Sequence, residues 1–115
     1  MNIVFTVGDK KLSATLDDSA AAQDFLSRLP LTMTLKDYAG IERVAYFDRP
    51  LIIDGAPAGH KAKAGDITYY APWGNLAIFG KSFGYASGLI KLGAFDDDFS
   101  VLFQTPEAEV VISAQ

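Results

Sequence analysis

The chain has 115 residues, half of them apolar, and it contains no cysteine. It can therefore bury a core without disulfides, and thiol catalysis and cysteine zinc sites are excluded. A formal net charge of −4 with no basic stripe argues against nucleic-acid binding. The opening MNIVFTVGDKK has no leader pattern, and no run approaches the roughly 18 apolar residues that span a bilayer. We expect one cytoplasmic domain over residues 1–115, without a membrane partner.

The N-terminal stretch alternates between apolar and polar residues on both sides of a turn signal. The apolar positions are Ile3, Phe5 and Val7 before Gly8-Asp9, and Leu12, Ala14 and Leu16 after it. Alternation with period two is typical of a strand with one buried face, and Gly-Asp tolerates the backbone of a tight turn. The pattern predicts a β-hairpin with one solvated face.

The segment DDSAAAQDFLSRLP predicts a single short helix. Asp17, Asp18 and Ser19 are candidate N-cap residues, and Pro30 prevents the helix from continuing. Between them lies one apolar stripe with helical spacing, formed by Ala22, Phe25, Leu26 and Leu29. We find no other convincing helix in the sequence.

The rest of the chain has the pattern of short strands separated by turns. The predicted strands lie around Leu31–Leu35, Val44–Tyr46, Ile67–Tyr70, Leu76–Phe79, Leu89–Leu92, Phe99–Phe103 and Val110–Ile112, while Leu51–Ile53 is too short to assign. Many short strands at close spacing favour a β-sandwich or barrel. About eight strands would close a barrel whose interior the side chains just fill.

One central stretch resembles a known family. Gly65-Asp66-Ile67-Thr68, nine further residues and then Ile78-Phe79-Gly80-Lys81-Ser82-Phe83 resemble the G-D-F-T, nine-residue, I-Y-G-x-x-F pattern of cyclophilins. The likeness is closer to small prokaryotic cyclophilin-like proteins, which carry a stretch similar to GDITYYAPWGNLAIFGK. The resemblance implies a mainly β fold, a small closed cyclophilin-like barrel of about eight strands with one capping helix.

The same comparison argues against transfer of the catalytic activity. Cyclophilins isomerise X-Pro bonds, which exchange slowly without catalysis, and use an arginine that falls here on Gly55. Their platform phenylalanine falls on His60 and their glutamine on Lys63. We therefore expect the fold to be retained without the catalyst.

Several aromatic residues of the same stretch are candidates for a binding groove. Tyr69 and Tyr70 are adjacent in a strand, so one should fill the barrel while the other lies outside. Trp73 occupies a predicted turn and has no core position, so it should cover a neighbour or a ligand. We predict a shallow groove near Tyr70, Trp73, Phe83 and Tyr85, with His60 and Lys63 on its rim. Core and rim packing is the structural alternative for these aromatic residues.

Two further segments have a functional and a simpler interpretation. GHKAKAGD, residues 59–66, could bind an anion through Lys61 and Lys63, but a solvated, flexible turn is favoured. Asp96-Asp97-Asp98 lacks the spacing of a calcium loop and suits a hairpin tip. We predict no metal site and no cofactor.

Three functional hypotheses follow. The first is a non-catalytic module that binds a small molecule or a peptide. The second is a weak peptidyl-prolyl isomerase, which requires an arginine in the groove, with Arg43 and Arg49 as candidates. The third is a structural or assembly domain that uses Trp73 and its neighbours in a homodimer contact.

Overall fold

The computed structural model describes residues 1–115 and shows a closed barrel of eight antiparallel strands. The elements in chain order are β1 (Asn2–Val7), β2 (Lys10–Leu16), α1 (Ala20–Ser27), β3 (Leu31–Tyr38), β4 (Glu42–Tyr46), β5 (Gly59–Lys61), β6 (Asp66–Tyr70), β7 (Asn75–Phe79), β8 (Tyr85–Ser87), β9 (Leu89–Phe95), a 3-10 helix (Ser100–Phe103) and β10 (Glu107–Ala114). Around the barrel the order is β1-β10-β3-β4-β7-β6-β9-β2, and β5 pairs separately with β8. The predicted fold class, a mainly β closed barrel with one helix, is confirmed.

The two terminal strands close the barrel. β1 pairs with β2 through the predicted hairpin and with β10 on its other edge, where Phe5 lies opposite Ile112. Side chains alternate between the two faces of a strand, so every second residue enters the interior. Phe5, Ile67 and Tyr69 are among the large inward side chains that solvent does not reach.

Helix α1 begins and packs as its sequence predicts. The Ser19 hydroxyl accepts a hydrogen bond from the Ala22 N–H at 3.1 Å, which satisfies one of the free donors of the first turn. Ala22 and Phe25 are fully buried in the barrel core, and the Phe25 ring meets Phe47 edge to face at 5.9 Å. The helix therefore contributes its apolar stripe to the core of the barrel.

A charged clamp ties α1 to the chain that follows β4. Arg28 donates to Asp24 at 2.8 Å and to the carbonyls of Arg49 and Pro50 at 2.7 Å each. Asp24 also accepts from the Ile52 N–H at 2.9 Å. Burial opposes ionisation of Asp24, but the hydrogen bonds from Ile52 and Arg28 outweigh it and hold the pKa of this carboxyl below its ordinary value of 3.8.

One predicted strand is wrong. The alternation of Phe99, Val101 and Phe103 predicted a strand, whereas Ser100–Phe103 forms a 3-10 helix. Phe99 and Phe103 are four residues apart, and that spacing places them on one face of a strand and also nearly on one face of a helical turn. The Asp98 carboxylate accepts from the Ser100 N–H at 2.8 Å and favours the turn, and Leu102 is buried instead of Val101.

The GHKAKAGD segment also differs from its prediction as a flexible turn. Gly59–Lys61 forms β5, which pairs with β8, and the His60 ring nitrogen lies 2.8 Å from Asp66 Oδ2. The Lys63 N–H donates to the same oxygen at 2.9 Å. This segment is therefore fixed to the start of β6, and Asp66, only 5% exposed, provides the anchor.

The β5–β8 sheet covers part of the outside of the barrel. A second, smaller apolar cluster forms there from Ala62, Ala77, Phe79 and Leu89. The chain makes a close approach at Gly88, where φ is +81° and an added Cβ would lie 2.8 Å from Pro72 Cδ. Glycine therefore permits the tight junction between β8 and β9.

No helix in the structure combines the length and the apolar character that crossing a membrane requires.

Replacing Asp24 by asparagine tests the clamp. Asparagine can still accept from Ile52 but loses the charge that Arg28 contacts, so we expect a loss of roughly 1–3 kcal/mol in the free energy of unfolding at pH 7. Because the pKa of Asp24 is lowered in the folded protein, its ionised carboxylate stabilises the fold above pH 3.8. This contribution is lost as the pH falls below that value. The difference from the parent protein in urea unfolding should therefore shrink in acid. Asp97→Asn, at an exposed position, is the matched control and should change little.

Candidate functional site

The outward-facing residues of three neighbouring strands form the floor of a pocket. Across β4, β7 and β6, Asn75 lies between Tyr46 and Tyr70, and Ala77 lies between Val44 and Thr68. Leu76 and Ile78 of β7 point into the barrel, and its other three residues face outward, yet all five are buried. A second layer must therefore cover this part of the outer surface.

That layer is incomplete and leaves a pocket of about 220 Å³. Its lining residues are Tyr38, Glu42, Val44, Tyr70, Trp73, Asn75, Phe79, Phe83, Ala86 and Leu89. An engineered cavity of about 150 Å³ holds benzene, so this aromatic pocket has room for a group of roughly six to ten non-hydrogen atoms.

Aromatic rings form most of the wall. Trp73 lies in the turn between β6 and β7, where its backbone N–H donates to the Tyr70 carbonyl at 3.2 Å. Its ring meets Tyr38 and Tyr70 edge to face, with centroids 5.6 and 5.4 Å away. Trp73 is 52% exposed and Phe83 45% exposed. Large aromatic side chains left this open at a concave site are typical of ligand-binding surfaces.

Two polar side chains in the lining have unused hydrogen-bonding capacity. Asn75 is 2% exposed, and its side-chain oxygen accepts no hydrogen bond although its amide donates to the Leu76 carbonyl at 3.2 Å. The Glu42 carboxylate forms no salt bridge, and no arginine, lysine or histidine lines the pocket. Burial raises the pKa of Glu42 above its ordinary value of 4.5.

The structure brings three of the six predicted groove residues together. Tyr70, Trp73 and Phe83 all line the aromatic pocket. The other three lie elsewhere. Tyr85 is 63% exposed and its ring covers Gly59, where an added Cβ would lie 2.6 Å from Tyr85 Cζ.

His60 and Lys63 do not form the rim of this pocket. Both contact the buried Asp66 carboxylate, His60 with its ring and Lys63 with its backbone N–H. Their contacts serve to hold β5 against the barrel. The sequence alone gave no sign that Asp66 would be their partner, because strand pairing brings them together.

The sequence prediction missed Tyr38 and Glu42. These residues lie opposite each other where β3 pairs with β4, and Glu42 also lies opposite Phe79 of β7. The motif GDITYYAPWGNLAIFGK contains neither residue, so it gave no signal for them. The two-residue alternation of apolar side chains in β4 was visible in the sequence, but it did not show which face of the strand lies on the outside of the barrel.

Neither candidate arginine lines the aromatic pocket. Arg43 is 6% exposed and points to the opposite side of β4, where it donates to the Leu102 and Thr105 carbonyls and pairs with Asp37. Arg49 borders a different cleft. Gly55, at the position of the cyclophilin arginine, lies in an exposed turn with φ of +75°.

A larger cleft of about 500 Å³ opens where β3 and β4 separate. Their pairing extends only over Lys36–Tyr38 of β3, and the cleft follows beyond that point. Of its charged residues, Arg28 is already engaged by Asp24 and two carbonyls, while Asp48 and Arg49 are exposed to solvent. In the aromatic pocket the carboxylate of Glu42 is half-buried and has no partner, which makes this pocket the stronger candidate.

No group of three or more histidine, aspartate or glutamate side chains is placed to hold a metal ion.

The fold and the pocket on its outer face define a small β-barrel of the cyclophilin type. The model of the cyclophilin-like family matches residues 5–113, and the chain belongs to that family. The solution structure of a hypothetical protein from Archaeoglobus fulgidus has the same fold, with a TM-score of 0.73 and 13% sequence identity over 100% of this chain and 95% of that one. A search of proteins with curated functions gave no match.

Glu42→Gln should stabilise the protein at neutral pH. A raised pKa means that the folded state disfavours the ionised carboxylate, so ionisation costs stability as the pH rises above 4.5. The glutamine variant should melt at a higher temperature than the parent at pH 7, and the two should converge near pH 4. A lower melting temperature at pH 7 would show that Glu42 has a stabilising partner instead. Differential scanning calorimetry across this pH range provides the measurement.

Proposed function

We propose that this protein is a non-catalytic binding module that holds a small molecule or a peptide segment in the aromatic pocket. The observation that carries the proposal is the pocket itself, a concavity of about 220 Å³ with half-exposed aromatic walls. Apolar concave sites with a few polar groups are the usual form of ligand pockets. The unpartnered oxygen of Asn75 and the free Glu42 carboxylate provide those polar groups.

The absence of an arginine from the lining supports a non-catalytic role. An isomerase of the cyclophilin type stabilises the twisted peptide bond electrostatically, and such stabilisation requires a charged donor placed at the reacting group. The lining contains no cationic side chain, and Arg43, on the other face of β4, is held by the Leu102 and Thr105 carbonyls within 3.2 Å and by its ion pair with Asp37. No structural feature favours the isomerase alternative over binding.

A ligand panel with two matched variants tests the binding role. The panel contains small amines, small carboxylic acids, neutral apolar compounds and X-Pro peptides, and binding is followed by NMR shifts of the Trp73 indole N–H. We expect at least one class to shift this resonance. Ala86→Leu fills the pocket and should weaken binding by roughly tenfold, since one unfavourable contact of about 1.4 kcal/mol has that effect.

Ala114→Leu is the matched control, because it adds the same side-chain volume at an exposed site on β10. It should leave binding unchanged. If no class shifts the Trp73 resonance, the proposed function fails. If Ala114→Leu weakens binding as much as Ala86→Leu, the ligand lies outside the aromatic pocket. If the measured molecular mass rises with protein concentration to that of a dimer, and Trp73 is buried in that dimer, the result would favour the assembly role instead.

A coupled proline-isomerisation assay tests the catalytic alternative. At micromolar protein we expect no acceleration above the uncatalysed exchange, because no guanidinium is present at the pocket. An acceleration that Ala86→Leu abolishes and Ala114→Leu preserves would contradict the non-catalytic role.

A further inference from the structure

We propose that the ligand of the aromatic pocket carries a protonated amine, which binds between the Glu42 carboxylate and the surrounding aromatic rings. The inference rests on the proposed binding function and specifies the chemistry of its ligand. The occupant is defined by charge complementarity, because the pocket offers a carboxylate and four aromatic rings and contains no positive group.

The first argument is the state of Glu42. It lies in β4, half-buried, opposite Tyr38 on one side and Phe79 on the other. Its carboxylate forms no hydrogen bond and no ion pair within the chain. A partly desolvated carboxylate without a partner costs free energy, and a bound cation removes that cost.

The nearby cations of the chain do not line the aromatic pocket. Arg43, the next residue, points into the barrel end and pairs with Asp37. Lys81 borders a separate cleft together with Arg43, and Lys36 pairs with Glu107 on the far side of β3. Glu42 therefore depends on a positive group that the folded chain does not provide.

The second argument is the arrangement of the rings. Tyr38, Tyr70, Trp73 and Phe83 surround the same pocket, and Trp73 lies within 5.6 Å of both tyrosine rings. Aromatic faces attract a cation within about 6 Å of the ring centroid, tryptophan most strongly. The unpartnered side-chain oxygen of Asn75, a residue of the pocket floor, adds a further partial negative charge.

Other ligand charges fit less well. A carboxylate or phosphate would face Glu42 and the ring faces, all of which repel negative charge. A neutral apolar ligand would displace water from the Glu42 carboxylate without replacing the hydrogen bonds that the water made. A primary ammonium donates hydrogen bonds to the carboxylate and retains a short alkyl chain for the apolar floor of Val44 and Leu89.

Three isosteric probes test the charge preference. n-Butylammonium, 1-butanol and butyrate are titrated separately into the protein at pH 7, with shifts of the Trp73 indole N–H as the readout. We expect the ammonium to bind roughly tenfold more tightly than the alcohol, the size of one cation–π contact reinforced by a carboxylate. Butyrate should bind more weakly than either. A short peptide with one internal lysine distinguishes a lysine side chain from a free amine as the natural source.

Two variants assign the preference to Glu42. Glu42→Gln should lower the ammonium-to-alcohol affinity ratio severalfold, because the ammonium loses its carboxylate partner and the alcohol no longer displaces water from a charged group, while the aromatic rings retain a smaller preference for the cation. Glu109→Gln removes the same charge from an exposed site on β10 and should preserve the ratio. Because Glu42→Gln is expected to stabilise the fold, loss of the preference cannot be attributed to unfolding.

The outcomes separate this inference from the proposed function. If the alcohol binds as tightly as the ammonium, the amine inference is wrong and the binding role stands. If both glutamine variants reduce the ratio equally, the preference comes from overall charge and the assignment to Glu42 is wrong. If the ligand panel leaves the Trp73 resonance unchanged, both proposals fail together.

Discussion

The closure of an eight-stranded barrel is the constraint on which the rest of the structure depends. Closure pairs β1 with β10 and gives every strand of the barrel two neighbours, although β3 with β4 and β2 with β9 pair over only three residues each. It also fixes which side chains enter the interior, because alternate residues of each strand must face it. The inward residues Phe5, Tyr69 and Leu76 fill that space. The residues that alternate with them along their strands face the outer surface.

The outer surface of β6 and β7 is too apolar to remain uncovered. Ala77 and Phe79 face outward and are nonetheless buried, because the β5–β8 sheet and the chain around Ala62 pack over them. The His60 and Asp66 pair holds this cover in place. The aromatic pocket is the region that the cover does not reach, and Trp73 and Phe83 stand at its edge.

The position of Arg43 leaves the aromatic pocket without a guanidinium. Its guanidinium fills a structural role at one end of the barrel, stacked 4.5 Å from the Phe103 ring and bonded to carbonyls of the 3-10 helix region. The pocket on the other face of β4 has Glu42 as its only acidic side chain and contains no lysine, arginine or histidine.

The chain's local patterns determined most of its secondary structure. Alternation around Gly8-Asp9 specified the first hairpin, and Ser19 with the stripe through Phe25 specified the helix, because strand and helix periodicities depend on neighbouring residues alone. The same reasoning failed at Phe99 and Phe103, whose four-residue spacing is compatible with both periodicities. It also correctly separated Tyr69, which is buried in the core, from Tyr70, which lies on the outer face.

Tertiary structure alone decided the composition of the candidate site. Tyr38 and Glu42 join Trp73 only because β4 pairs with both β3 and β7, and strand pairing between distant segments is not encoded in any local period. Because of strand pairing, His60 and Lys63 contact Asp66 and do not lie on the rim of the aromatic pocket, where they were expected. The sequence by itself determined a barrel with an aromatic outer surface, while the register between strands decided which charge lies among the rings.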